Sequence, residues 1–133
     1  MSIGLLIISH QKIGDALLQT ATHMLDICPL NTLTLEVSHS SNPDEIRTQA
    51  RELVEQLDQG DGVLVLTDMY GSTPSNIAAT LLEKGRVHVV AGINLPMLVR
   101  VLNYADLDLC ELTTKAVTGG HDGIVQCIPG SAG

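Results

Sequence analysis

Aromatic side chains are almost missing from this 133-residue chain. It has no Trp and no Phe, and its two Tyr are Tyr70 and Tyr104. A core must therefore be assembled from Leu, Ile, Val, Ala and Met, within an apolar fraction of 44% that is ordinary for a globular domain. Basic residues are also scarce. Seven Lys plus Arg face fifteen Asp plus Glu, for a formal net charge of -8. That excludes the basic surface with which nucleic-acid binders release counterions, and it suits a soluble protein with a basic partner. The cysteines Cys28, Cys110 and Cys127 are odd in number, widely spaced and without a CxxC pair. They form neither a disulfide framework nor a zinc pattern, so free thiols in a reducing cytosol are expected. No run reaches the roughly 20 apolar residues of a membrane helix. The apolar start, residues 1–9, lacks the basic flank and small-residue cleavage site of a signal peptide. The phosphate-cradling pattern GxxxxGK[ST] does not occur.

What is present is an alternation of strand and helix signals. Ile3 to Ile8 is an apolar run suited to a strand buried on both faces, as in a parallel sheet. Ile13, Ala16, Leu17, Thr20, Ala21, Met24 and Leu25 then fall on one helical face, and Pro29 stops that helix. Thr32 to Val37 alternates apolar and polar residues, the mark of a strand nearer an edge. Asn42 or Ser41 caps a second helix, with Pro43 in its first turn and Asp44 and Glu45 at the positive end of its dipole. Val63 to Leu66 is the central strand, ending at Asp68. Thr73-Pro74 opens a third helix, which buries Ile77, Ala78, Leu81 and Leu82 and ends at Gly85. Arg86 to Ala91 is a fourth strand, and Asn94 caps the helix that follows it. Leu107 to Val117 is again helical. Gly119 to Gly123 reads as a hinge, Ile124 to Ile128 as a short last strand, and Pro129 onward as a frayed tail. The expectation is one domain over 1–133. Its fold is an α/β three-layer sandwich with an open, mostly parallel sheet of four strands plus the short C-terminal strand, and helices on both faces.

Ligands of such folds bind beyond the carboxyl ends of the strands. His10, Asp68 and Asn94 all stand at such ends. A carboxylate bonded to one imidazole N–H fixes the tautomer and leaves the other nitrogen free to attack. Beside an anion cradle that arrangement suits phosphoryl transfer, where positioning and charge stabilisation do most of the work. Gly71, Ser72 and Thr73 at the start of the third helix are the candidate cradle. A plainer reading stands next to this one: a strand-end His held for structure, a strand-end Asp closing a turn, and Thr73-Pro74 as a helix cap. Lys12 either attracts a phosphate or is a solvated surface residue. His39, at the end of the second strand, is within reach of the rim but is not counted among the site residues. His23 and His88 read as surface or edge residues, and His121 as a solvated loop or a visitor to a neighbouring subunit's site. His10, His39, Asp68 and His121 have no local ligand spacing, so no metal is expected. A receiver-type phospho-aspartate at Asp68 would want a pair of acids after the first strand, where Ser9-His10 stands instead.

Three segments together resemble the enzyme IIA domain of the mannose family of the bacterial sugar phosphotransferase system. They are His10 after the first strand, Asp68-Met69-Tyr70-Gly71-Ser72-Thr73-Pro74-Ser75-Asn76, and Ala91-Gly92-Ile93-Asn94-Leu95-Pro96-Met97-Leu98. They occur in the family's order, and the likeness covers nearly the whole chain. Tyr70 departs from the pattern, since the family's loop aromatic is often Trp. The resemblance implies a phosphotransferase component, located in the cytoplasm and without cofactor or metal. The histidine-containing phosphocarrier protein would donate a phosphoryl group to His10, and a IIB protein or domain would accept it. Asp68 would orient the ring, while Thr73 and the nearby amides held the phosphate. It further implies a homodimer, commonly made by exchanging a C-terminal strand, and association with a membrane permease complex without direct insertion into the membrane. The alternative is a free-standing regulatory module whose His10 phosphorylation controls binding to another protein.

Overall fold

The computed structural model describes residues 2–130, so the end of the C-terminal tail expected beyond Pro129 lies outside the described residues. The apolar runs become strands β1 (Gly4–His10), β2 (Asn31–Val37), β3 (Val63–Thr67) and β4 (Val87–Ala91). Helices α1 (Ile13–Leu25), α2 (Pro43–Leu57) and α3 (Thr73–Ala79) connect them, and α4 (Leu95–Asn103) and α5 (Leu109–Asp122) follow β4. All four strands are parallel, in the order β2-β1-β3-β4. The α/β sandwich expected from the alternation is therefore present, with the alternating strand β2 at one edge.

Successive strand residues point to opposite faces, and each face has its own core. Leu5, Ile7, Leu64, Leu66 and Val90 pack with Leu98, Val101 and Leu112 on the side of α1, α4 and α5. Leu6, Ile8, Val63, Val65 and Val87 pack with Ile46, Ala50, Val54 and Ile77 on the side of α2 and α3. Burial on both faces is why β1 and β3 read as unbroken apolar runs rather than as alternations. Each fully buried Leu, Ile or Val contributes about 1.5–3 kcal/mol, so aliphatic side chains hold the sheet without aromatic help.

Three local expectations are corrected. Helix α3 ends at Ala79, so Leu81 is buried but Leu82 is exposed on the turn that follows. The cap of α3 is Ser72, and Thr73 is its first residue. The expected hinge is mostly helix: Gly119 and Gly120 are buried inside α5. A Cβ on Gly119 would lie 2.9 Å from Arg100 Cβ, so the missing side chain lets α5 sit against α4. Among the described residues beyond Gly123, the segment 124–128 expected as a last strand adds none to this sheet. Ile124 and Val125 are 78% and 73% exposed.

Candidate functional site

His10 closes β1 and Asp68 follows the last residue of β3, the neighbouring central strand. Ile8 is the register partner of Thr67, so the two functional side chains leave the sheet side by side although 58 positions separate them. Asp68 Oδ2 accepts twice from His10, from the backbone amide at 2.9 Å and from ring Nδ1 at 2.8 Å. Asp68 Oδ1 accepts from the Met69 amide at 3.1 Å. Burial pushes the Asp68 carboxyl up, but the His10 amide, the His10 ring bond and the charge on that ring together hold it below its usual value. An ionised carboxylate accepts only, so Nδ1 carries a proton, and in the neutral ring Nε2 then holds the lone pair.

The turn beyond His10 is rigid. Gln11 takes a left-handed φ of 48 and its amide donates to the Val37 carbonyl at 2.9 Å. Ser9, buried at 1%, accepts from the Gly14 amide at 2.8 Å. Gly14 is required here, because a Cβ would sit 2.7 Å from Ile7 Cγ2 and 3.0 Å from Ser9 Oγ. Helix α1 is thereby drawn down onto β1, and the His10 backbone is held by a serine, an aspartate and the neighbouring strand.

A cavity of about 330 Å³ opens over the histidine, between His10 and Gln11, the loop after β2 and Thr73. His10 is 43% exposed at its side chain and Asp68 11%, so the ring is reachable and the acid lies behind it. Of the three candidate cradle residues, Thr73 lines this cavity. The Gly71 amide donates to Ser75 Oγ at 3.3 Å and the Ser72 amide to the Met69 carbonyl at 3.2 Å. Those two residues therefore shape the turn, with Gly71 at a φ of 84, and Thr73 stands at its end. Asn94 caps α4: its Oδ1 accepts from the Met97 amide at 2.9 Å and its Nδ2 donates to the Gly120 carbonyl at 3.1 Å. It lies on a separate concavity with His121. Lys12 is exposed at the head of α1, off the cavity lining. The lining also includes Ser38, His39 and Ser41. The sequence offers His39 as a rim candidate not counted among the site residues and Ser41 only as a helix cap; the hydroxyl-rich His39-Ser40-Ser41 run at a strand end is the available signal. Among the described residues no group of three or more His, Cys, Asp or Glu is placed to hold a metal ion, and no helix is long and apolar enough to cross a membrane.

Such a site can present a nucleophilic ring nitrogen to an anionic group. Known proteins resemble the chain in sequence and in fold. The EIIA-man family model, described as the PTS system fructose IIA component, matches residues 4–117. The PTS system mannose-specific EIIAB component of Escherichia coli (strain K12) is 32% identical over 127 residues, 93% of this chain and 39% of that protein, so the chain spans well under half of the relative's length. The solved PTS IIA protein associated with the fucose utilization operon of Streptococcus pneumoniae is 28% identical, with a TM-score of 0.74 over 89% of this chain and 93% of its own. The mannose/sorbose specific IIA subunit of Enterococcus faecalis is 19% identical, with a TM-score of 0.86 over 100% of both chains. At that identity the likeness is one of fold.

Proposed function

This chain belongs to the EIIA-man family of the phosphotransferase system, and from that premise we propose that it is a phosphocarrier that takes up and passes on a phosphoryl group at His10. The observation that carries the reading is the 2.8 Å bond from His10 Nδ1 to Asp68 beneath an open cavity. The Nε2 lone pair attacks the phosphorus of a phosphohistidine on the histidine-containing phosphocarrier protein. The donor's P–N bond breaks and its electron pair returns to the donor ring, while a P–N bond forms on His10. Attack by a group on a IIB protein or domain then reverses the sequence and removes the phosphoryl group.

One P–N bond replaces another on loading, so the protein's work is alignment and charge compensation. Asp68 holds the ring and balances the positive charge that develops on it when Nε2 bonds to phosphorus. Thr73 offers its hydroxyl and the amide at the head of α3 to the phosphoryl oxygens, with Gly71 and Ser72 forming the turn that presents it. The protein works in the cytoplasm as a homodimer, and it is the acidic surface that meets a basic donor.

Labelling tests this. The purified chain is incubated with phosphoenolpyruvate, enzyme I and the phosphocarrier protein, and acid-labile phosphate is counted before and after IIB proteins are added. Wild type takes the label and loses it rapidly to a IIB, and His10→Ala takes none. Acid-labile labelling of His10→Ala at the wild-type rate overturns the assignment. Label that persists with every IIB overturns onward transfer and favours a regulatory role for the phosphorylated form.

A further inference from the structure

One side chain in the cavity has no part in the reading so far. His39 stands two residues beyond β2, and its cavity wall is shared with His10 and Thr73. Its loop is built rather than loose. The Ser38 amide donates to Ser41 Oγ at 3.0 Å, the Ser41 amide to the Ser38 carbonyl at 3.1 Å, and the two hydroxyls lie 3.1 Å apart. The loop is also tied to the nucleophile's turn. His10 and Val37 are register partners, and the Gln11 amide donates to the Val37 carbonyl at 2.9 Å. The His39 ring is exposed on this fixed loop and makes no hydrogen bond among the described residues.

Charge gives the placement its meaning. A phosphoryl group adds about 1.5 to 2 negative charges near neutral pH, beside the Asp68 carboxylate and on a chain of formal net charge -8. Apart from His10, the cavity is lined by Gln11, Val37, Ser38, Ser41, Pro43, Thr73 and one ionisable group, His39. The other charged groups nearby lie on the surrounding elements. Asp68 is behind the ring, Lys12 heads α1 off the lining, and Asp44 and Glu45 head α2, where Asp44 pairs with Arg47. Among the described residues that line the cavity, His39 is the side chain besides His10 that can carry positive charge.

We propose that His39 is a phosphoryl-binding residue: its protonated ring donates an N–H to an oxygen of the phosphoryl group arriving at, or held on, His10. This rests on the reading of His10 as the phosphorylated residue. No covalent bond changes at His39, and its contribution is strongest while the ring is charged, since the neutral ring offers a single, weaker N–H donor. The expected contribution is therefore larger at lower pH, where an imidazole is charged, and it is read as a difference between variants at each pH.

The test uses potassium phosphoramidate, which phosphorylates histidine directly. Its P–N bond breaks, ammonia leaves and the P–N bond to His10 forms. Wild type, His39→Ala, His39→Arg and His10→Ala are compared as full chains by initial rate of acid-labile labelling at about pH 6 and about pH 8.5. At the lower pH His39→Ala is expected to be slower than wild type by about tenfold, the effect of one charge-assisted hydrogen bond. At the higher pH the gap between the two narrows, and His39→Arg is fast at both. Equal rates for wild type and His39→Ala at both pH values overturn the proposal, as does a deficit of the same size at both, which marks a merely structural role. Labelling of His10→Ala at the wild-type rate instead sinks the underlying reading of His10, so the two failures are distinguishable.

Discussion

Asp68 combines two tasks in one oxygen, which holds both the backbone and the ring of His10. Replacing it with Ala removes the acceptor that fixes the tautomer while leaving the apolar core intact. Labelling of His10 should slow by about 10–100-fold, as for other groups that orient a reacting histidine, and unfolding in urea should show a loss of about 1–3 kcal/mol from the orphaned amide. Unchanged labelling kinetics would remove the orienting role. The same contacts set the acid limb of stability. Asp68 and Asp58 both sit below the ordinary carboxyl value of 3.8, Asp58 through the Gly60 amide and the Arg86 side chain. A carboxyl lowered on folding contributes stability that is complete above its unfolded value and lost as pH falls through its folded value. The urea midpoint should therefore be flat on this account above about pH 5 and fall below about pH 4. Asp68→Asn should flatten part of that fall.

Among the elements, close approach depends on particular glycines. Gly4 opens β1 against the end of α2, where a Cβ would stand 2.7 Å from both Leu57 Cβ and the Leu57 carbonyl oxygen. Neither neighbour is the free end of a flexible chain. Gly4→Ala should cost about 1–3 kcal/mol, the usual range for overpacking, read as a lower urea midpoint with an unchanged slope. Gly119 plays the same part between α4 and α5, where Arg100 and Asp122 form an ion pair at 2.7 Å. On the opposite side of the sheet Arg86 bonds to Glu55, Asp58 and Glu83, which ties the end of α2 to the turn before β4. These carboxylates raise the Arg86 guanidinium above its already high value, their hydrogen bonds outweighing desolvation.

For the whole molecule, the outer edge of β4 and the segment past α5 are the places where a second copy is to be tested. β4 pairs with β3 along one side, Ile124 lines a concavity of about 240 Å³ at the end of β4, and Ile124 and Val125 are both exposed. Edge strands invite pairing with another chain, and exchange of a terminal segment is an economical route to a dimer. Truncation after Gly123 is expected to convert a dimer into a monomer in sedimentation velocity while His10 still takes label. A truncated chain that sediments as the dimer would remove the segment from the interface.

Periodicity reveals burial, so much of this architecture is legible along the chain. β1 and β3 are apolar runs because water is excluded from both their faces, and β2 alternates because it lies at an edge. His10 and Asp68 stand out because each ends such a run, where a parallel sheet opens to ligands. Side-chain partners across space leave no such trace. The glycine pair at 119 and 120 resembles a break until α4 is laid against it, and the Asn94 cap is legible while its second bond, to the Gly120 carbonyl of α5, is not. His39 joins the cavity because β2, rather than β3 alone, lies next to β1. Local pattern decides which segments are buried, since that depends on each residue's own chemistry. The neighbours of a strand end are decided only when distant strands pair, because register and order are properties of the assembled sheet.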